Sequence, residues 1–219
     1  MISRATPFAK VASVQTSLPN LVVFYLETTG FTPDRHEIIQ IAAVRLATDG
    51  SIGDTFFTRV RPRFPVPRHV TVLTGIRNAD VAGAPAAPEA LRAFARFFED
   101  AGVGGTAPIL VAHNGHRFGL RFIADACALH SLPLRPVRFI DSIWLARTLW
   151  PADPLHNLDT VAERLGIDVN APRYRHHDAR SGVQLLATAV HRMVQHLLPV
   201  APAKQLQAEA REHDFIATS

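Results

Sequence analysis

The sequence predicts an α/β domain with a mixed central sheet and helices on both faces. Two observations predict it. Three strand-like runs follow one another early in the chain, and strands then alternate with helices. Runs of strands followed by strand–helix units give a sheet of mixed direction covered on both sides. The length of 219 residues suits one domain with a full-sized core, or two small ones, and an apolar fraction of 47% is ordinary for a globular chain.

The elements follow in order. Residues 21–27, LVVFYLE, read as a buried strand. Residues 37–47, EIIQIAAVRLA, are mostly apolar and read as a strand buried on both faces. Residues 54–62, DTFFTRVRP, alternate and read as a strand nearer an edge, ended by Pro62. A proline-bearing turn is expected over residues 63–76. In residues 87–102, Leu91, Phe94, Ala95 and Phe98 recur at helical spacing, with Gly102 as the stop. Residues 108–114 predict a short buried strand, and 118–132 a helix ended by Pro133. Residues 137–142 predict a strand; Asp141 or Ser142 then opens a helix that stops at Pro151. Asn157 caps a short helix closed by Gly166, and residues 178–198 form the long final helix. The expected organisation is a leader over residues 1–19, a domain over 20–198 and an appended tail over 199–219. No internal repeat or low-complexity segment interrupts it.

Composition excludes some classes. No apolar run reaches the ~18–20 residues that span a bilayer, so no membrane partner is expected. The first twenty residues carry basic side chains without a signal-type apolar stretch. Cys127 is the single cysteine; it excludes an internal disulfide, fits a reducing cytoplasm and falls in an apolar helical stretch as a packed thiol. The net charge is +4, and Lys10 and Lys204 are the only lysines. Arginine suits bidentate phosphate contact and base stacking, although a GC-rich coding sequence would also favour it.

Residues 22–30, VVFYLETTG, carry the chemical question. Alternate strand residues share a face, so Tyr25 and Glu27 point the same way. A metal-dependent hydrolase would want two carboxylates there, and this chain offers one carboxylate and a phenol.

Residues 22–46, VVFYLETTGFTPDRHEIIQIAAVRL, resemble the opening of the DnaQ-like (DEDDh) 3′–5′ exonuclease family, which includes the epsilon proofreading subunit of DNA polymerase III, RNase T and the TREX nucleases. The likeness continues through VPRHVTVLTGI (66–76), ILVAHNGHRFGLRFI (109–123), DSIWLARTLWP (141–151), NLDTVAERLGI (157–167) and DARSGVQLLATAV (178–190). The H-N-G-x-R-aromatic spacing is closest to the TREX branch. The resemblance implies a ribonuclease H-like fold and a mechanism in which four carboxylates hold two divalent metals about 3.5–4 Å apart, with a histidine as general base.

Carried over residue by residue, the family's first Asp-x-Glu becomes Tyr25-Leu26-Glu27. Its second aspartate becomes Gly119, after Phe118. Its third aspartate is retained as Asp178, and the histidine five residues earlier becomes Arg173. Glu27 and Asp178 are therefore the catalytic and metal positions that remain. His176, His177 and His116 are the imidazoles that could compensate, and imidazole would favour Zn²⁺ or Mn²⁺ over Mg²⁺. His113 is read as orienting its loop, Asp141 as a helix cap.

The expected consequence is a pseudo-enzyme. Tyr25 fills the vacated metal space and hydrogen-bonds Glu27, while Arg173 neutralises the carboxylates, so no cofactor is expected; Mg²⁺ or Mn²⁺ enters only with residual activity. The retained groove implies a single-stranded DNA or RNA 3′ end as partner. Thr28, Thr29, Gly30, Leu73, Gly75, Ile76, His113 and Asn114 match contact segments, and Arg117, Arg121, Arg173 and Arg175 are candidates for phosphate. An active exonuclease with rearranged ligands, and a subunit that docks on a polymerase, another protein or a second copy of itself, stand as alternatives.

Overall fold

The computed structural model describes residues 20–47, 49–102, 105–171, 174, 178–197 and 210–217. The strands are β1 (Leu21–Thr28), β2 (Ile38–Leu46), β3 (Ile52–Arg59), β4 (Ile109–Ala112), β5 (Leu134–Asp141) and β6 (Arg211–Ile216). They form one six-stranded sheet in the order β3–β2–β1–β4–β5–β6. β1, β2 and β3 pair antiparallel, β1–β4 and β4–β5 are parallel, and β6 runs antiparallel to β5. The sheet is therefore mixed, as the order of elements predicts.

Alternation along the central strands supplies two cores. Val22 and Phe24 face α3 (Ala87–Glu99) and α4 (Gly119–Leu129). Val23 and Tyr25 face the other layer, made by α5 (Ser142–Leu149), α6 (Leu158–Arg164) and α7 (Ala179–Leu197). β2 is buried along nearly its whole length because both its neighbours and both its faces are covered. β3 is an edge strand with a mostly exposed burial pattern.

Two elements differ from the sequence reading. The stretch 63–76 is not only a turn: it contains α1 (Arg68–Thr74), followed by α2 (Asn78–Val81). Pro67 caps α1 at φ −62°, which proline's ring favours, and Gly75 closes it at φ 73°. The tail expected over 199–219 is also corrected. Arg211–Ile216 forms β6, with Phe215 and Ile216 fully buried. Phe215 meets Phe94 at 5.3 Å and Phe98 at 5.2 Å between ring centroids, so the strand is held by the aromatic core beneath α3. The leader and residues 198–209 lie outside the described residues.

Candidate functional site

Glu27 stands at the end of the regular part of β1, opposite Gln40 on β2, and the register shifts between Glu27 and Thr28. α7 begins against this point. The buried Gln40 side chain accepts a hydrogen bond from the Ala179 backbone N–H at 2.7 Å. Asp178 Oδ1 accepts from the Ser181 N–H at 3.0 Å, the bond that caps a helix N-terminus. The chain thus brings Glu27 and Asp178 together by pinning the start of α7 to the β1–β2 pair. Burial, and next the Asp178 charge, push the Glu27 carboxyl up to about 7.

Tyr25 lies one strand repeat earlier on the same face. Its ring lies over Gly182 of α7: a Cβ on Gly182 would come within 2.9 Å of Tyr25 Cδ1 and Cε1. Glycine at this helix position is what lets the aromatic ring sit between sheet and helix. Burial, with the Glu27 and Asp159 charges after it, pushes the phenol up to about 12, so it is neutral in any ordinary buffer. The expected Tyr25–Glu27 hydrogen bond is corrected: none joins them among the described residues. Same-face strand neighbours are spaced by two residue rises, about 6.8 Å, and their side chains run parallel rather than converge.

The remaining predicted residues are placed as follows. Gly119 opens α4 on the opposite side of the sheet, and a Cβ there would meet Phe24 Cε2 at 3.1 Å. Phe24 is the side chain that a Cβ at Gly119 would touch, and no carboxylate lies within 4 Å of that point. Thr28 and Thr29 are buried, and their hydroxyls are engaged locally, with the Gly30 carbonyl and the Glu37 N–H. His36 covers Gly30 so closely that no side chain fits there. Leu73 is 60% exposed on α1, beside Val72 at 79%, and Phe31 in the loop after β1 is 80% exposed. Ile76 is a correction: it is buried with Ile39, Val66, Val70 and Val81 in a small separate core, so its side chain offers no surface to a ligand. Arg117 and Arg121 are exposed and take part in no ion pair among the described residues. Arg173, Arg175, His176 and His177 lie outside the described residues, and so does the expected Arg173 counter-charge.

The loop after β4 is organised by Asp141. Its buried carboxylate accepts from the backbone N–H groups of Asn114 (2.9 Å), His116 (3.0 Å) and Ile143 (3.1 Å). It caps α5 and ties that helix to the Asn114 turn, where Asn114 adopts a φ of 54°. His113 Nδ1 lies 2.8 Å from Ser142 Oγ, and burial pushes its imidazole below the usual range. Gln40 and Gly182 escaped the sequence reading. Each carried a signal: a lone amide in the apolar run IIQIAAV, and a glycine inside a long helix.

The described residues contain no cluster of three or more His, Cys, Asp or Glu side chains arranged to hold a metal ion. The two carboxylates that converge are Glu27 and Asp178, and Asp178 already caps a helix.

The model of the exonuclease family, of RNase T type, matches residues 22–189, most of the domain just described. The chain belongs to the DnaQ-like exonuclease family. Among its relatives, a DNA polymerase III subunit epsilon-like protein of Rhodobacter capsulatus is 36% identical over 213 residues, covering 92% of this chain and 28% of that protein. A PolC-type DNA polymerase III of Clostridium perfringens is 36% identical over 173 residues, covering 78% of this chain and 11% of that protein. The chain therefore spans well under half the length of these relatives. Among solved structures, the nuclease domain of 3′hExo, a DEDDh family member bound to rAMP, superposes with a TM-score of 0.73 at 22% identity, covering 91% of this chain and 98% of that one. Exonuclease X in complex with 5′ overhanging duplex DNA gives 0.65 at 24% identity, covering 86% and 98%. The mixed sheet and its helical layers are those of the DEDDh exonuclease fold.

Proposed function

We propose that this DnaQ-like chain is a nucleic-acid-binding module that keeps the exonuclease groove without two-metal hydrolysis. One observation carries the reading. Where the family mechanism needs a cage of carboxylates, Glu27 and Asp178 stand with a neutral Tyr25 ring packed beside them against Gly182. A neutral phenol lacks the pair of anionic oxygens with which a carboxylate bridges two cations, and Gly119 has no side-chain ligand to offer. The partner is the 3′ end of a single DNA or RNA strand, taken by the exposed apolar residues Phe31, Val72 and Leu73 and by arginines such as Arg117. Relatives that are DNA polymerase III proteins support a polymerase as an additional protein partner. The buried, unpaired Cys127 suits a cytoplasmic setting.

A second reading has its own observation. The Asp178 charge adds to burial in raising Glu27, and a cation between the two would relieve that repulsion, so the pair favours one divalent ion, as a working exonuclease with rearranged ligands would need. A single strand labelled at its 3′ end separates the two. With Mg²⁺ or Mn²⁺ present, the module binds it with affinity that falls steeply with salt and leaves it intact. Stepwise 3′ shortening that depends on metal, and that Glu27→Ala abolishes, overturns the proposal.

A further inference from the structure

β6, the strand absent from the sequence reading, brings a cationic aromatic cluster to the same end of the sheet as Glu27. The C-terminal ends of β1, β4 and β5 lie together because these strands are parallel, and Arg211 pairs with Phe139 near that end of β5. The Arg211 guanidinium stacks over the Trp144 ring at 5.0 Å from its centroid. His116, from the loop after β4, lies 6.2 Å from Trp144 and 5.1 Å from His213, while His213 stands edge-on to Phe139 at 5.3 Å. Arg211 and His116 are exposed, and Trp144 and His213 are partly so.

Arg211 enters no ion pair among the described residues. The nearby Asp141 makes no ion pair with Arg211: its carboxylate accepts three backbone N–H groups, and its charge, like that of Asp214, reaches His213. Alternation along β6 sends Arg211 and His213 to one face and Glu212 and Asp214 to the other. The exposed Arg117 follows directly in sequence on His116, adding charge to the same loop. A folded protein gains little from holding a planar cation on a tryptophan in water, but such a pair offers both a phosphate contact and a flat stacking surface.

We propose that Arg211, Trp144 and His116 form a second nucleic-acid subsite, which holds the single strand beyond the nucleotides seated near Glu27. The proposal rests on the nucleic-acid reading above and deepens it. Three strand spacings separate β1 from β6, roughly 14 Å, so the subsite lies beyond a nucleotide bound at Glu27. A short oligonucleotide leaves it empty and a long one fills it.

Binding of a trinucleotide and of a single strand of about 12 nucleotides, a length within the usual site sizes, tests this without any metal. Arg211→Ala is expected to weaken the longer strand about tenfold and to lower the salt slope by about 1, leaving the trinucleotide unchanged. The longer strand is also expected to quench tryptophan fluorescence, and Trp144→Phe to remove that quench although Trp150 remains. Thermal melting shows whether either variant is folded, and Arg211→Gln replaces Arg211→Ala if that variant is not. Unchanged affinity for the longer strand in a folded variant overturns the subsite, as does an equal loss for both lengths. Competition by polyglutamate as effective as by the longer strand overturns it in favour of an acidic protein partner. A wild-type protein that binds neither strand overturns the underlying nucleic-acid reading itself.

Discussion

Glu27 is the residue whose environment makes the sharpest claim. Its carboxyl is raised from 4.5 to about 7, so the folded state holds the proton that the unfolded chain releases. Stability from this group is fully present below about 4.5 and is lost as pH rises through about 7. Glu27→Gln is therefore expected to match the wild type in acid and to exceed it by roughly 1–3 kcal/mol at about pH 8, measured by denaturant unfolding at both pH values. A variant less stable at the higher pH means that a cation, the role expected of Arg173, holds Glu27 charged. Tyr25 and Gly182 make a second claim, because ring and helix backbone are in contact. Gly182→Ala sets a gain of about 1 kcal/mol in helix propensity against overpacking of roughly 1–3 kcal/mol. With the ring backed by the α7 core, overpacking wins and the variant is destabilised. In a Tyr25→Val background the same change is expected to stabilise, and a double-mutant cycle reads the reversal.

At the scale of elements, β6 decides whether the α3–α4 layer is closed. Phe215 is fully buried and packs edge-on against Phe94 and Phe98, while backbone pairing covers the whole of β6 against β5. Phe215→Ala is expected to cost roughly 3–5 kcal/mol, as for other core aromatics, with a lowered denaturant midpoint and an unchanged slope. A loss below about 1 kcal/mol contradicts this packing. The start of α7 is the other decisive element. Gln40 and Asp178 together satisfy two of its free N–H groups, which fixes the helix where its first residues meet Glu27. The same Asp178 that the family resemblance assigns to metal is thus part of the fold's own hydrogen bonding.

For the molecule as a whole, the sheet is that of the family, and the proposed reading leaves Glu27 and Asp178 as its carboxylates. Calorimetric titration with Mg²⁺ at millimolar concentration is expected to show no pair of sites; one weak site at Glu27 and Asp178 is compatible with the proposal, two are not. Restoring Tyr25→Asp alone is expected to give no metal-dependent cleavage of a 3′-labelled strand. The vacated ring volume beside Gly182 would not supply the ligands absent at positions 119 and 173. Adding Gly119→Asp requires Phe24 to yield by a few tenths of an ångström, since its ring stands 3.1 Å from the new Cβ. With Arg173→His as the third change, trace cleavage in Mn²⁺ is the expected outcome, read on the same labelled strand.

Much of this was legible in one dimension. The buried strands, the helices opened by Asp141 and Asn157, the Gly166 stop and the shared face of Tyr25 and Glu27 all follow from local periodicity and capping, which act over a few residues. The reading of positions 25, 119 and 173 as departures from the family motifs rests on motif spacing alone. What the tertiary structure alone decided are contacts between distant segments. REHDFI has no strong strand pattern and became a strand because β5 offered a free edge and the aromatic core a place for Phe215. Gln40 caps a helix 139 positions away, and Gly182 admits a ring from the opposite end of the domain. Neither partner can be inferred from its neighbours in sequence. Close packing and unsatisfied backbone groups select partners in space, where the chain's own order carries no information about distance.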